Sequence, residues 1–345
     1  MRVFMSDDDN SCRSDSAPDS RSGNQTIRAD GLLELPSPFI VENGVIRLIE
    51  PHDAPQEALY ERLLDGGYDK PFILDDGNIR YLYFSLRYIQ SAMRIDDPDV
   101  LDLRYTQKMM GFLLFNPNPQ DIVLVGLGGG SIVKFCHRQL PLATITAVEI
   151  DPDVISFRDE FCIPGDDDRF RIVCADGARF VAEHGGGIDV LLVDAYNKIG
   201  VADSLAKHSF VEDAQRSLAP RGVLVVNLAG GEAEYASIVS DIIDVFDHRV
   251  LAVSVQGGGN HILFAFKDRA FPPQWRRLSS DAKDLRNQFG LEFPTFSRKL
   301  EQSAKAKLAW RLSLSASASS HLSQDRRSAA RHRWPRSGAG LLERE

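Results

Sequence analysis

The apolar residues of this chain fall into short runs with two different periods. Residues 122–125 and Ile188–Val193 are continuous apolar stretches of strand length, the pattern of strands buried on both faces of a parallel sheet. Residues 145–150, 171–175 and 223–227 add three more strands, the last entered through a turn at Pro220-Arg221-Gly222. Helix-like stretches separate them, and strands alternating with helices imply right-handed crossovers and a parallel sheet. Residues 249–255 and His261–Phe266, joined through glycines, read as a closing antiparallel pair.

An earlier region has a different character. Residues 45–49 predict a strand, and 72–74 and 79–84 flank Asp75-Asp76-Gly77-Asn78. Asp-Gly between two apolar runs supplies the positive-φ turn of a hairpin. Residues 105–115 have helical spacing, which Asn116-Pro117-Asn118-Pro119 breaks. The predicted organisation has four parts. These are a disordered tail (1–35), a β-rich unit with a linking helix (36–115), an α/β domain (116–270) and a helical, low-complexity basic tail (271–345). Within that last part, 299–314 predicts a basic amphipathic helix.

Composition changes this picture little. With 43% hydrophobic and 26% charged residues among 345, the chain has ordinary globular usage. No run reaches the ~18 apolar residues of a membrane span. The start of the chain lacks the apolar stretch of a signal peptide, so the expectation is a cytoplasmic protein with no membrane partner. The four cysteines, Cys12, Cys136, Cys162 and Cys174, show no CxxC spacing and read as reduced thiols. The eight histidines show no metal spacing, so no metal is expected. From Arg298 onward there are 11 Lys/Arg against 4 Asp/Glu, whereas the rest of the chain has 29 against 45. An acidic body argues against nucleic acid and suits a cationic partner or substrate.

Candidate chemistry sits where the strands end. The 122–125 run stops at Gly126, Gly128, Gly129 and Gly130, and a helical pattern begins at Ser131. Such glycines allow a tight turn and close approach of a ligand, and the helix start points free N–H groups at it. The spacing Gly126-x-Gly128-x-Gly130 favours an S-adenosyl compound over a dinucleotide. Glu149, 23 residues after Gly126, is placed to accept two ribose hydroxyls. Asp151 reads as the N-cap of a helix that Pro152 opens. Asp176, before Gly177, reads as contacting adenine, as an N-cap, or as both. Asp194 ends a wholly apolar strand, where an aspartate is costly to desolvate unless it faces a cleft or partner. It reads as the group that binds or deprotonates an attacking amine, with 198–204 as a lid.

On these residues the chain resembles the polyamine aminopropyltransferase (spermidine synthase) family over roughly 38–267. The matching parts are Ile89-Gln90, a helix opened by Tyr105, the glycine turn, Val148-Glu149-Ile150-Asp151-Pro152, Ala175-Asp176-Gly177 and Leu192-Val193-Asp194-Ala195-Tyr196-Asn197. The resemblance implies a doubly wound α/β fold, a seven-stranded, mostly parallel sheet of the S-adenosylmethionine-dependent methyltransferase type, with a small β-rich N-terminal unit. It implies that Gln90, Glu149 and Asp176 contact decarboxylated S-adenosylmethionine as co-substrate, with no tightly bound cofactor. Gly126, Gly128, Gly130 and Gly177 would complete that site, and Tyr105, Tyr196 and Asn197 would meet a small-molecule amine that Asp194 activates. A homodimer is one assembly left open, and the sequence does not fix the oligomeric state. Two family carboxylates are replaced: Gly129 stands where the glycine motif carries aspartate, and Asn197 stands at the second loop acid. Two alternatives therefore stay open, a methyltransferase using S-adenosylmethionine and a non-catalytic nucleoside-binding protein.

Overall fold

The computed structural model describes residues 31–37, 44–86, 88–196, 202–230, 232–256 and 259–305. The N-terminal unit is a five-stranded antiparallel sheet in sequence order. Its strands are β1 (Leu33–Pro36), β2 (Val45–Leu48), β3 (Phe72–Asp75), β4 (Ile79–Ser85) and β5 (Tyr88–Arg94). Asp75 faces Arg80 across the β3–β4 hairpin, and Gly77 takes φ +93° in the turn, as the Asp-Gly signature requires. Strand β1 begins inside the stretch assigned to the N-terminal tail. Its alternation of buried Leu33 and Leu35 with exposed Glu34 and Pro36 is only four residues long, too short to stand out from a polar stretch. The helix α1 (Gln56–Asp65), absent from the sequence expectations, buries Leu59 and Leu63 on that sheet.

The linking helix is shorter than its apolar period suggests. Helix α2 (Arg104–Met109) tightens into a 3-10 turn over Met110–Leu114. Gly111 lies so close to Phe296 that a Cβ would stand 2.0 Å from the ring.

The second unit is a seven-stranded sheet. In chain order its elements are β6 (Asp121–Val125), α3 (Ser131–Gln139), β7 (Thr144–Glu149), α4 (Pro152–Ser156), β8 (Phe170–Cys174), α5 (Gly177–Glu183), β9 (Ile188–Val193), α6 (His208–Ser217), β10 (Leu218–Leu228), α7 (Glu232–Val245), β11 (Val250–Ser254) and β12 (His261–Phe266). The strand order is β11-β12-β10-β9-β6-β7-β8, with β12 antiparallel to its neighbours and the rest parallel. The turn expected at Pro220-Arg221-Gly222 is instead an irregularity inside β10, where the pairing with β9 shifts register.

Period-2 alternation divides the apolar runs between two cores. Ile122, Leu124, Val190, Leu192, Val223 and Val225 pack on one face of the sheet, whereas Val123, Val125, Leu191, Val193, Leu224 and Val226 pack on the other. Full burial of each such side chain stabilises by about 1.5–3 kcal/mol, so the sheet's strand ends are rigidly placed. The stretch beyond residue 270 is not all tail. Helix α8 (Trp275–Phe289) buries Leu278, Ala282, Leu285 and Phe289 at helical spacing, and Phe293, Phe296 and Leu300 of the helical stretch 293–305 join the same core. The remainder of the predicted 299–314 helix lies outside the described residues.

The two units are bolted together by charge. Asp75 accepts both Nε and Nη2 of Arg80, at 2.9 and 2.8 Å, and also pairs with Arg47. Arg80 reaches across to the Glu160 carboxylate at 2.9 Å. Cys136 and Cys174 are free thiols, but Cys162 is disulfide-bonded, so the reading of four reduced thiols is corrected. No helix among the described residues is long and apolar enough to cross a membrane.

Candidate active site

Parallel pairing brings the chemistry-bearing strand ends side by side. In the order β9, β6, β7, β8, the carboxyl ends lead into Asp194, Gly126, Glu149 and the Ala175-Asp176 turn. The ladder continues past the strands: Asp194 N donates to Val125 O, Gly126 N to Val148 O and Ala175 N to Glu149 O, at 2.9, 2.9 and 3.0 Å. Ligands of open parallel sheets bind at this edge.

Gly126 explains its own identity. It takes φ +95°, and a Cβ there would stand 2.3 Å from Asp194 O. Gly128 and Gly130 also take positive φ, and Gly130 caps α3. Gly177 allows α5 to start against Val125, whose Cγ1 would be 2.2 Å from a Cβ.

Glu149 is buried and accepts two backbone N–H groups, Leu127 N on Oε2 at 2.9 Å and Asp151 N on Oε1 at 3.0 Å. Burial raises its pKa, and the two amides oppose that shift. Each oxygen keeps a lone pair for a ligand hydroxyl. Asp151 caps α4 by accepting from Asp153 N at 2.8 Å, with Pro152 in the first turn. Asp176 caps α5 through Arg179 N at 3.0 Å and stays partly exposed beside the crevice.

Asp194 is the most elaborately held group. Asn227 Nδ2 donates to its Oδ1 at 2.8 Å, and the Tyr105 hydroxyl stands beside the carboxylate and favours its charged form. Desolvation raises the Asp194 pKa despite both groups. Burial, then the neighbouring Asp194 charge, holds Tyr105 well above the ordinary phenol range, so it serves as a donor at neutral pH. Tyr196 donates to Asn227 O at 2.5 Å and accepts from Ala229 N at 2.6 Å, which ties the residues after β9 to the end of β10. Asn260 Nδ2 donates to Asn227 Oδ1 at 2.9 Å.

The structure therefore gathers Asp194, Tyr105 and Tyr196 at one place, with the glycine turn and Glu149 adjoining and Asp176 on the next strand end. Gln90 lies half-buried on β5, next to Ser91, whose Oγ approaches Gly128 and Gly129. Asn197 and most of the 198–204 stretch lie outside the described residues. Asn227 and Asn260 were missed by sequence reading. Asn227 carries the same signal as Asp194, a polar residue closing an apolar run. Among the described residues no group of His, Cys, Asp and Glu could hold a metal ion.

Comparison with known proteins shows the family of the chain. Residues 102–244 match the spermine/spermidine synthase domain family model. The chain is 41% identical over 231 residues to the polyamine aminopropyltransferase of Chromobacterium violaceum, covering 67% of this chain and 88% of that one. It is 34% identical over 238 residues to the polyamine aminopropyltransferase of Neisseria meningitidis, covering 68% and 90%. A probable spermidine synthase from Corynebacterium glutamicum shares the fold at TM-score 0.53 and 17% identity, over 67% of this chain and 91% of that one.

Proposed function

Because the chain belongs to the spermine/spermidine synthase family, we infer that it is a transferase that moves an aminopropyl group from decarboxylated S-adenosylmethionine to a small amine, as in polyamine biosynthesis. In this reading the nucleoside lies along the ends of β6, β7 and β8. Glu149 accepts the ribose hydroxyls, Asp176 and Gly177 flank the adenine, and Gln90 closes the site from the N-terminal sheet. The amine enters against Asp194, Tyr105, Tyr196 and Asn197.

The amine nitrogen attacks the methylene carbon next to the sulfonium. The C–S bond breaks, its electron pair stays on sulfur, and methylthioadenosine leaves as a neutral thioether. The attacking nitrogen must shed a proton, and Asp194 accepts it; a carboxylate whose pKa is raised by desolvation is a better base than a solvated one. The remaining work is alignment of nitrogen, carbon and sulfur. The observation that carries this reading is the buried Asp194 carboxylate beside the glycine turn, held by Asn227 at 2.8 Å with the Tyr105 hydroxyl next to it. Incubation with decarboxylated S-adenosylmethionine and a panel of diamines tests it. Methylthioadenosine and an aminopropylated amine should appear in equal amounts; no product with any amine would overturn it.

A further inference from the structure

The glycine turn after β6 is braced by a segment that the N-terminal sheet holds. Gly126, Gly128 and Gly130 take positive φ, and a run of glycines has no side chains with which to fix its own shape. Phe161 and Ile163 pack against it instead. A Cβ on Gly129 would stand 2.8 Å from Phe161 Cδ1, and one on Gly130 would stand 2.5 Å from Ile163 Cγ1. Both side chains are buried. They lie beyond the end of α4 at Ser156, in a stretch of turns that includes Cys162 at φ +53°. Two cations hold that stretch by the carbonyls of adjacent residues. Lys134 of α3 donates to Phe161 O at 2.7 Å, and Arg80 of β4 donates to Glu160 O. Arg80 Nη1 also reaches the Glu160 carboxylate at 2.9 Å, while its Nε and Nη2 engage Asp75 at 2.9 and 2.8 Å. A planar guanidinium can grip one carboxylate with two N–H groups and direct a third elsewhere. The Arg80 and Asp75 side chains are only 15% and 10% exposed, so salt screens this pair little.

We propose that Arg80 is a positioning residue for the donor: through Glu160 it keeps Phe161 and Ile163 pressed on Gly129 and Gly130, and so fixes the turn the donor lies against. The inference rests on the aminopropyl-transfer reading, which places the donor along the ends of β6, β7 and β8. Arg80 itself meets neither the donor nor the reacting atoms. The charge pairing between the two units then has a second role besides joining them. It carries the fixed shape of the β3–β4 hairpin, where Asp75 faces Arg80, to a turn that cannot hold itself.

Arg80→Met, which keeps the apolar stem and removes the guanidinium, tests this on the full chain. The readouts are calorimetry with decarboxylated S-adenosylmethionine and steady-state kinetics. Donor affinity should fall about tenfold, within the range by which residues remote from a ligand change its binding. The donor kcat/KM should fall further, toward about 10²-fold, because a small misplacement of the reacting carbon costs that much. The KM for the amine should stay within about twofold, since Asp194 and Asn227 stand at the ends of other strands and respond independently. Arg80→Lys should recover only part of the loss, because an ammonium cannot reproduce the fork that grips Asp75 and Glu160 together. Ile163→Val removes one carbon from the same packing, and its effect on donor affinity should be non-additive with that of Arg80→Met. Should Arg80→Met not fold, the same comparisons are read on Arg80→Lys. Lowered melting with unchanged donor affinity and kcat/KM would make Arg80 a purely structural link and overturn the proposal. Equal losses for donor and amine, or additive losses in the double variant, would overturn it as well. A wild-type protein that binds no donor would remove the donor site, and this inference with it.

Discussion

Asn227 donates to Asp194 at 2.8 Å while its own amide oxygen accepts from Asn260 at 2.9 Å. The second bond decides which way the Asn227 amide faces, since an amide whose oxygen is satisfied must offer its NH2 to the carboxylate. The hairpin connection between β11 and β12 thereby sets the orientation of a group two strands away, at the end of β9. Replacing Asn227 by Asp puts a second carboxylate against the first. Like charges raise pKa, so the acidic limb of the rate–pH profile should move to higher pH and turnover near neutrality should fall about 10²-fold. Donor affinity should stay within a few-fold. An unshifted profile would remove Asn227 from the positioning of Asp194.

Stability should show the cost of holding Asp194. Desolvation raises its pKa in the folded state above its unfolded value. Such a group favours folding most at pH below its unfolded pKa, and that contribution is lost as pH rises through the folded pKa. Asp194→Asn removes the charge and keeps an oxygen for Asn227. The variant should therefore melt a few degrees above the wild type at neutral pH, and the gap should close as pH falls below the ordinary carboxylate range. Thermal melts at several pH values read this directly.

Glu149→Gln exchanges a charged acceptor for a neutral one and turns an NH2 toward a backbone N–H. The loss of a hydrogen bond to a charged group is about 1.5–3 kcal/mol, so methylthioadenosine affinity should fall roughly 10- to 100-fold. Unchanged affinity by calorimetry would assign Glu149 to bracing the turn through Leu127 and Asp151 alone.

Gly126→Ala should fail for a backbone reason. Its φ is +95°, and the added methyl would lie 2.3 Å from Asp194 O. The end of β9 must then shift, so activity should fall together with stability, by at least the 1–3 kcal/mol of a strained φ. An active Gly126→Ala enzyme with wild-type melting would contradict the close approach of β6 and β9.

Most of the sheet was legible because strands buried on both faces write themselves as apolar runs, and the residue that ends each run stands at the carboxyl edge of the sheet. Asp194, Glu149 and the glycine turn were found that way. Asn227 carried the same signal but is uncharged, and an amide closing a strand does not announce a desolvation cost. Asn260 could not be seen, since its role depends on β12 lying antiparallel to β10. Helix α8 was read as part of a tail because its surroundings are polar, although Leu278, Ala282, Leu285 and Phe289 keep a helical period. Helix α1 was lost for a related reason: only Leu59 and Leu63 are buried, one short stripe on a charged helix.

In the aminopropyl-transfer reading, Asp194 takes the proton of the attacking amine without holding the donor. Donor affinity and the single-turnover release of methylthioadenosine, measured side by side in wild type and Asp194→Asn, test it most directly. The variant should bind the donor within a few-fold of the wild type, and release should slow by about 10²–10⁴, the contribution of a positioned general base. Release at the wild-type rate, or loss of donor binding along with it, would contradict the claim.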